Sequence, residues 1–226
     1  MPAARTVTPD GDVILLVSGE SAAARAAAHA QDDDLTAVIE ITDVAPVSVP
    51  HRIRGRAWLA GWLTPVRGAD RAACAALLAE RHPVGELLAM SDFPEGPRAA
   101  RYSGRPAWML LRLEVGEISV DDLWGAEHVT PEDLAAAQPD PMVAHETELL
   151  QHLHGDRIGE LCGLLGPREA GGPTAVPLAL DRLGLRVRFS GGAAGTFDAR
   201  FDFPEPVTDI CGLRRAMHTL FSAAGH

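Results

Sequence analysis

Residues 50 to 65 constrain the fold more than any other part of the sequence. They read PHRIRGRAWLAGWLTP and alternate with a period of two, which is the period of a β-strand. Small and apolar residues occupy one face, which should therefore line a packed core, with glycines at 55 and 61 where another backbone can come close. The other face carries three arginines and two tryptophans: Arg52, Arg54, Arg56, Trp58 and Trp62. The pattern predicts the central strand of the fold.

The composition limits the class of protein. A chain of 226 residues with 46% hydrophobic and 23% charged residues is typical of a soluble globular protein with one large or two small domains. No apolar run approaches the roughly 20 residues of a membrane-spanning helix, and the N-terminus lacks the apolar core of a signal peptide. Cys74, Cys162 and Cys211 form no CxxC pair and are expected to be reduced, buried and inert. These features predict a cytoplasmic protein with no membrane partner.

The charge and the missing motifs exclude several functions. A net charge of −11 argues against nucleic-acid binding, which relies on a basic surface. All 20 basic residues are arginines, so Schiff-base chemistry and a lysine anchor for pyridoxal phosphate are excluded. The sequence has no Gly-rich phosphate loop, GxSxG elbow or HExxH motif, so no catalytic residue is assigned and no metal site is expected.

Residues 1–125 are predicted to form a small β-barrel. Strands are expected at 13–17, 36–44, 50–65 and 107–120, with helices at 18–31 and 68–81. Residues 1–10 are expected to be mostly irregular, although Thr6 to Thr8 could be the tail of a strand. Residues 91–106 are expected to form a long loop. The apolar residues of the last strand change from odd to even positions at Gly116, which predicts a β-bulge.

Residues 140–226 are predicted to form a smaller α+β domain with the order α-β-β-β-α. An acidic, proline-containing segment at 124–141 separates it from the barrel. A long helix is expected at 142–165, three strands at 175–180, 184–189 and 196–203, and an amphipathic helix at 204–225.

Two parts of the sequence resemble known proteins. The segments 12–17, 36–46 and 52–57 (RIRGRA) resemble the FMN-binding split barrel of the pyridoxamine-phosphate-oxidase superfamily. The motifs HLHGDR (from His152), LDRLG (from Leu180) and FDFPEPVTD (from Phe201) resemble the domain of unknown function that follows the barrel in haem-utilisation proteins of the HugZ type. The resemblance implies an α+β fold, a split β-barrel followed by the smaller α-β-β-β-α domain.

The sequence departs from this family at three places. Arg157 stands where the family has a second histidine, and His154 stands where it has an asparagine. Relatives also have a helix and a barrel strand before the point that corresponds to residue 1, and that strand contributes to their flavin site. The chain is thus expected to be a fragment or a reduced version that binds FMN weakly or not at all.

The resemblance implies that the ligand is haem, a tetrapyrrole. If the chain is an enzyme, the resemblance implies that it degrades haem by an oxygenase-type reaction. The propionates are expected to meet Arg52, Arg54 and Arg56, because guanidinium groups pair with carboxylates. A mixed-charge outer face of the barrel is the alternative for these arginines. Relatives use a C-terminal histidine as the axial ligand, which implies His226 here, with His218 as the substitute. Solvent exposure is the alternative for both histidines.

Two other functions stay open. The chain could be an FMN-dependent oxidoreductase, or a non-catalytic regulatory module, since one plant relative of this architecture binds an enzyme of tetrapyrrole synthesis. In each case we expect a homodimer through the barrel, because Trp58 and Trp62 would otherwise form an apolar patch exposed to solvent.

Overall fold

The computed structural model describes residues 2–30, 35–82, 108–122, 125–153, 156–166, 174–192 and 195–224. The architecture is α+β, with two separate sheets and several helices. Contacts divide the chain into two compact units. The barrel unit comprises Met1–Ile41 with Arg56–Ala137, and the C-terminal unit comprises Thr42–Gly55 with Gln138–His226. Residues 42–55, here called the hairpin tip, therefore belong to the C-terminal unit, whereas a linear division at 125–140 leaves them with the barrel.

The larger sheet has six strands: β1 (Ala4–Val7), β2 (Val13–Ser18), β3 (Thr36–Val44), β4 (Ile53–Pro65), β5 (Trp108–Asp122) and β6 (Gly125–Val129). The strand order is β1-β2-β5-β4-β3, and β6 pairs with β5. β2 is antiparallel to both β1 and β5, with Val13 opposite Leu113. The sheet curls into half a barrel, which is consistent with the predicted split-barrel architecture.

Among the described residues, three helices accompany this sheet: α1 (Ala22–His29), α2 (Asp70–Arg81) and α3 (Pro131–Ala136). Ser21 caps α1 by accepting the amide of Ala24 at 3.1 Å, and Thr130 caps α3 by accepting the amide of Asp133 at 3.1 Å. Such hydroxyls satisfy amide groups that the first helical turn leaves without a partner. None of the helices in the described ranges is long and apolar enough to cross a bilayer.

Both faces of β2 and of the first part of β5 are buried. One cluster contains Leu15, Leu59, Leu63, Leu111 and Leu113. The other contains Ile14, Leu16 and Leu110, packed against Cys74 and Leu78 of α2. The continuous apolar run at 13–17 is typical of a strand that is covered on both sides.

The close backbone approach predicted on β4 is confirmed at Gly61, whereas the β-bulge predicted at Gly116 of β5 stays a prediction. A Cβ atom at Gly61 would overlap the carbonyl oxygen of Glu114, so the predicted close backbone approach occurs there. On β5, Val115 and Ile118 are both buried while Gly116 and Glu117 between them are exposed. The burial pattern therefore changes phase where the sequence does.

The N-terminal residues correct the sequence interpretation. Residues 4–7 form β1, with Ala4 opposite Leu16, whereas the sequence indicates at most the tail of a strand at Thr6 to Thr8. Ala4 and Thr6 are both buried. Pairing with the apolar edge of β2 thus decides the conformation, which the polar composition of the segment does not indicate.

The C-terminal unit contains α4 (Glu146–His152), α5 (Asp156–Glu160), a 3-10 turn (Leu161–Leu164), β7 (Thr174–Asp181), β8 (Gly184–Gly192), β9 (Gly195–Asp202) and α6 (Ile210–Ala224). The predicted three strands and final helix are present. The prediction of one helix at 142–165 is wrong, because α4 ends at His152 and Leu153 has a non-helical ψ of 80°. Glycines at 155, 159 and 163 weaken a continuous helix through this region.

The core of this unit lies on one face of the three-stranded sheet. Leu185, Val187 and Phe189 alternate along β8 and are buried there. Phe189 stacks on Phe197 with ring centroids 5.3 Å apart and meets Phe201 edge-on at 6.2 Å. The residues between them on β8, including Arg186 and Arg188, point to the opposite face.

The turn between β7 and β8 gives the LDRLG motif a structural role. Asp181 accepts the amides of Leu183 and Gly184 at 2.8 and 3.0 Å, and it pairs with Arg200 at 2.7 Å. A Cβ at Gly184 would lie 2.5 Å from the carbonyl oxygen of Phe201. The aspartate and the glycine of the motif therefore build the hairpin.

We expect Asp181 to make the stability of the C-terminal unit depend on acid pH. Burial is the largest single influence on the pKa of Asp181, and it raises the pKa. The hydrogen bonds and charge of Arg200 and the two amides together outweigh burial, so the pKa lies below its ordinary value. The stabilisation is complete above the unfolded-state pKa of about 3.9 and is lost as the pH falls through the lower folded-state pKa. Denaturant unfolding between about pH 2 and 7 should show a weaker acid dependence in Asp181→Asn.

Asp202→Asn is the matched control, because Asp202 also bonds Arg200 but its side chain is 74% exposed. An unchanged acid slope in Asp181→Asn would contradict the assignment.

Candidate functional site

The three arginines of β4 and its preceding loop have the clearest chemistry for binding an anion. β4 pairs with β3 in a hairpin, in which the amide of Ala45 donates to the carbonyl of Arg52 at 2.8 Å. Strand alternation gives Arg52, Arg54 and Arg56 the same side of the hairpin. The structure nevertheless gives the three side chains different partners.

Arg54 belongs to the C-terminal unit, and its side chain is only 10% exposed. Its terminal nitrogens donate to Glu146 at 2.6 Å, to Asp43 at 2.8 Å and to the carbonyl of Leu178 at 2.9 Å. Burial alone would lower the pKa of Arg54, but the two carboxylates outweigh it and raise the pKa above its ordinary value. Arg54 is therefore a permanent cation that stabilises the hairpin tip.

Glu146 links Arg54 to the second sheet. Its side chain is 16% exposed, and Oε1 also accepts the amide of Leu180 on β7 at 3.1 Å. One carboxylate from α4 therefore binds the hairpin tip and β7. Because both charges are largely removed from water, loss of either one leaves the other poorly compensated.

Arg56, in the barrel unit, has a loose partner. Its Nε lies 3.7 Å from Oε1 of Glu40, and the two side chains are 45% and 52% exposed. Exposed pairs of this kind contribute about 0–1 kcal/mol and are screened by salt. Arg56 can therefore exchange Glu40 for a ligand anion at little cost.

Arg52 is exposed on the hairpin tip. Its Nε and Nη2 donate to the carbonyl of Ala45 at 3.1 and 2.8 Å, which fixes the plane of the guanidinium. Within the described ranges, the carboxylates of this region pair with Arg54 and Arg56, and none pairs with Arg52. Arg52 therefore combines an ordered guanidinium with a charge that no neighbouring carboxylate neutralises.

Of the two expected histidines, only His218 lies among the described residues. His218 is exposed on α6, and His226 lies outside the described residues, as does the predicted loop at 91–106. In the part of the chain that the structure describes, no hydrogen bond or ion pair joins His218 to the arginines. The role of both histidines stays a prediction.

His51 is a candidate that the sequence interpretation missed. It precedes Arg52, is exposed, and has a φ of 54°, the one positive value among the described residues other than glycine. The period-two pattern placed residue 51 inside the strand, but β4 begins at Ile53. A proline followed by histidine between two predicted strands was the available signal for a turn.

The other metal-ligating and thiol side chains that the structure describes do not converge. Among the described residues, no three histidine, cysteine or carboxylate side chains lie close enough together to hold a metal ion. Cys74 is buried and lies 3.8 Å from Nη2 of Arg112, and Cys162 is partly buried. The expectation that Cys211 is buried is wrong, because it is exposed in the first turn of α6.

Comparison with known proteins establishes the fold. A haem-binding protein from Mycobacterium smegmatis aligns with a TM-score of 0.56 and 24% identity, covering 99% of this chain and 85% of that protein. A protein of unknown function from Agrobacterium tumefaciens strain C58 aligns with a TM-score of 0.33 and 20% identity, covering 95% and 80%. No protein-family profile and no curated protein sequence matches the chain. The first likeness shows a shared fold, and the second adds no argument.

Proposed function

We propose that this chain binds haem and that Arg52 pairs with one of its propionates. The observation that carries the proposal is the exposed Arg52, whose guanidinium is ordered but has no carboxylate partner among the described residues. A fold shared with a haem-binding protein supports the same ligand class. In an acidic protein, a dianionic porphyrin is repelled everywhere except where guanidinium groups cluster. We assign Arg54, the middle one of the three arginines, to holding the hairpin tip.

We infer that a neutral imidazole binds the iron, with His226 first and His218 as the substitute. We also propose that the chain degrades haem by an oxygenase-type reaction. We propose further that it is related to HugZ-type proteins. A homodimer through the barrel belongs to the same proposal. What supports it is the outer face of the barrel unit, where Val38 is 63% and Trp62 49% exposed.

Titration with ferric haem, followed at the Soret band, tests the proposed site. We expect Arg52→Gln to weaken haem binding about 5- to 10-fold, which corresponds to roughly 1–1.4 kcal/mol for an exposed charge pair. The loss should shrink at high salt, because the Arg52 side chain is exposed. His226→Ala should shift the Soret band, and His218→Ala should do so if His218 is the ligand instead.

Arg67→Gln is the matched control, since Arg67 is also exposed but lies beyond the end of β4. Equal losses in the control and in Arg52→Gln would mean that only net charge matters and would contradict the site. Tight FMN binding without a Soret band would favour the FMN-dependent oxidoreductase. Binding of neither would favour the regulatory module.

A further inference from the structure

The polar face of the second sheet contains a buried arginine that reaches the hairpin tip. Arg188 on β8 is 8% exposed, although it lies opposite the apolar core. Its Nε and Nη2 donate to the two oxygens of Asp198 on β9 at 2.6 and 2.8 Å. This paired geometry fixes the plane of the guanidinium and leaves Nη1 to make other bonds.

Nη1 of Arg188 donates to two consecutive carbonyls of the hairpin tip. The distances are 2.6 Å to the oxygen of Pro50 and 2.9 Å to that of His51. His51 adopts a positive φ of 54°, a conformation that surrounding contacts have to hold in place. Arg188 supplies such contacts on the residue directly before Arg52.

Further contacts within the C-terminal unit hold the same segment. Val47 packs against the apolar core, and Gln151 reaches the carbonyl of Pro46 at 3.4 Å. Arg54, near the start of β4, donates a hydrogen bond to Glu146. The tip is therefore held at its turn by Arg188 and at its base by Arg54.

We propose that Arg188 is a positioning residue that fixes the hairpin tip and thereby presents Arg52 and His51 to an anionic ligand. The C-terminal unit then acts as a clamp on the turn that carries the exposed guanidinium. The ligand part of this inference rests on the proposed haem binding, whereas the clamp itself rests on the contacts of Arg188 alone.

Hydrogen exchange and haem titration of full-length variants test the two parts. In Arg188→Met, we expect amide exchange within residues 42–55 to become at least about tenfold faster, while β2 and β5 keep their protection. Haem affinity should fall to the level of Arg52→Gln, although Arg188 is too buried to contact the ligand. Arg188→Lys should rescue neither readout, because one ammonium cannot reproduce the planar fork that spans Asp198 and two carbonyls.

Arg200→Gln is the matched control, since Arg200 pairs with Asp181 and Asp202 on the same sheet without reaching the hairpin tip. If Arg188→Met does not fold, Asp198→Asn keeps the guanidinium, removes its charged partner and should loosen the tip less strongly. Unchanged exchange at 42–55, or equal loosening in Arg200→Gln, would overturn the clamp. Faster exchange with unchanged haem affinity would overturn the positioning role. If the unaltered chain binds no haem, the proposed function fails, and the exchange result still decides the clamp.

Discussion

Replacing Gly61 by alanine should destabilise the barrel unit by more than about 3 kcal/mol, at or beyond the upper end of typical overpacking effects. The added Cβ would overlap the carbonyl oxygen of Glu114, and atoms of the same backbone carbonyl and of Val115 lie close behind it. A flexible side chain could move aside, but here β4 and β5 would have to separate within the buried core. Denaturant unfolding followed by tryptophan fluorescence measures the loss.

Gly116→Ala is the control for Gly61→Ala. A Cβ at Gly116 would meet only Cζ3 of Trp62, at 3.4 Å, which is an ordinary contact. We therefore expect a change within about 0.5 kcal/mol, as for most exposed positions. Equal effects of the two substitutions would contradict the close approach at Gly61.

Replacing Arg54 by methionine should cost about 3 kcal/mol of stability in the C-terminal unit, because it leaves the carboxylate of Glu146 without its cation in a site that is 16% exposed. The double variant Arg54→Met with Glu146→Met should lose less than the sum of the single variants, since it removes the uncompensated charge as well. Urea unfolding of the four proteins gives the coupling free energy.

Arg56→Met provides the comparison for an exposed arginine on the same strand. Its pair with Glu40 is long and half exposed, so we expect a loss below about 1 kcal/mol. A loss in Arg54→Met that is no larger than this would mean that Arg54 does not stabilise the hairpin tip.

The sequence predicts the strands well because their burial follows a period of two. The alternation of β4 places Leu59 and Leu63 in the core, and the phase change in β5 occurs at residues 116 and 117. The interrupted helix at 142–165 was not predicted, because its apolar spacing is helical and only the glycines indicate the breaks. β1 was missed because its conformation depends on a neighbouring strand.

The candidate site was predicted only in outline. Three arginines on one strand face are visible in the sequence, but their separate roles depend on distant partners. Glu146 lies 92 positions from Arg54, and Arg188 lies 137 positions from His51. A period-two pattern identifies which side chains share a face and contains no information about which carboxylates reach them. The structure therefore assigns Arg54 to the hairpin tip, and the ligand role of Arg52 is our proposal.

The central claim is that the chain binds haem as a barrel dimer. Size-exclusion chromatography with light scattering, after loading with ferric haem and removal of the excess, tests both parts when absorbance is read at the Soret band and at 280 nm. We predict that the Soret absorbance co-elutes with protein at twice the mass of the chain. Elution of protein at the mass of one chain, without Soret absorbance, would contradict the claim.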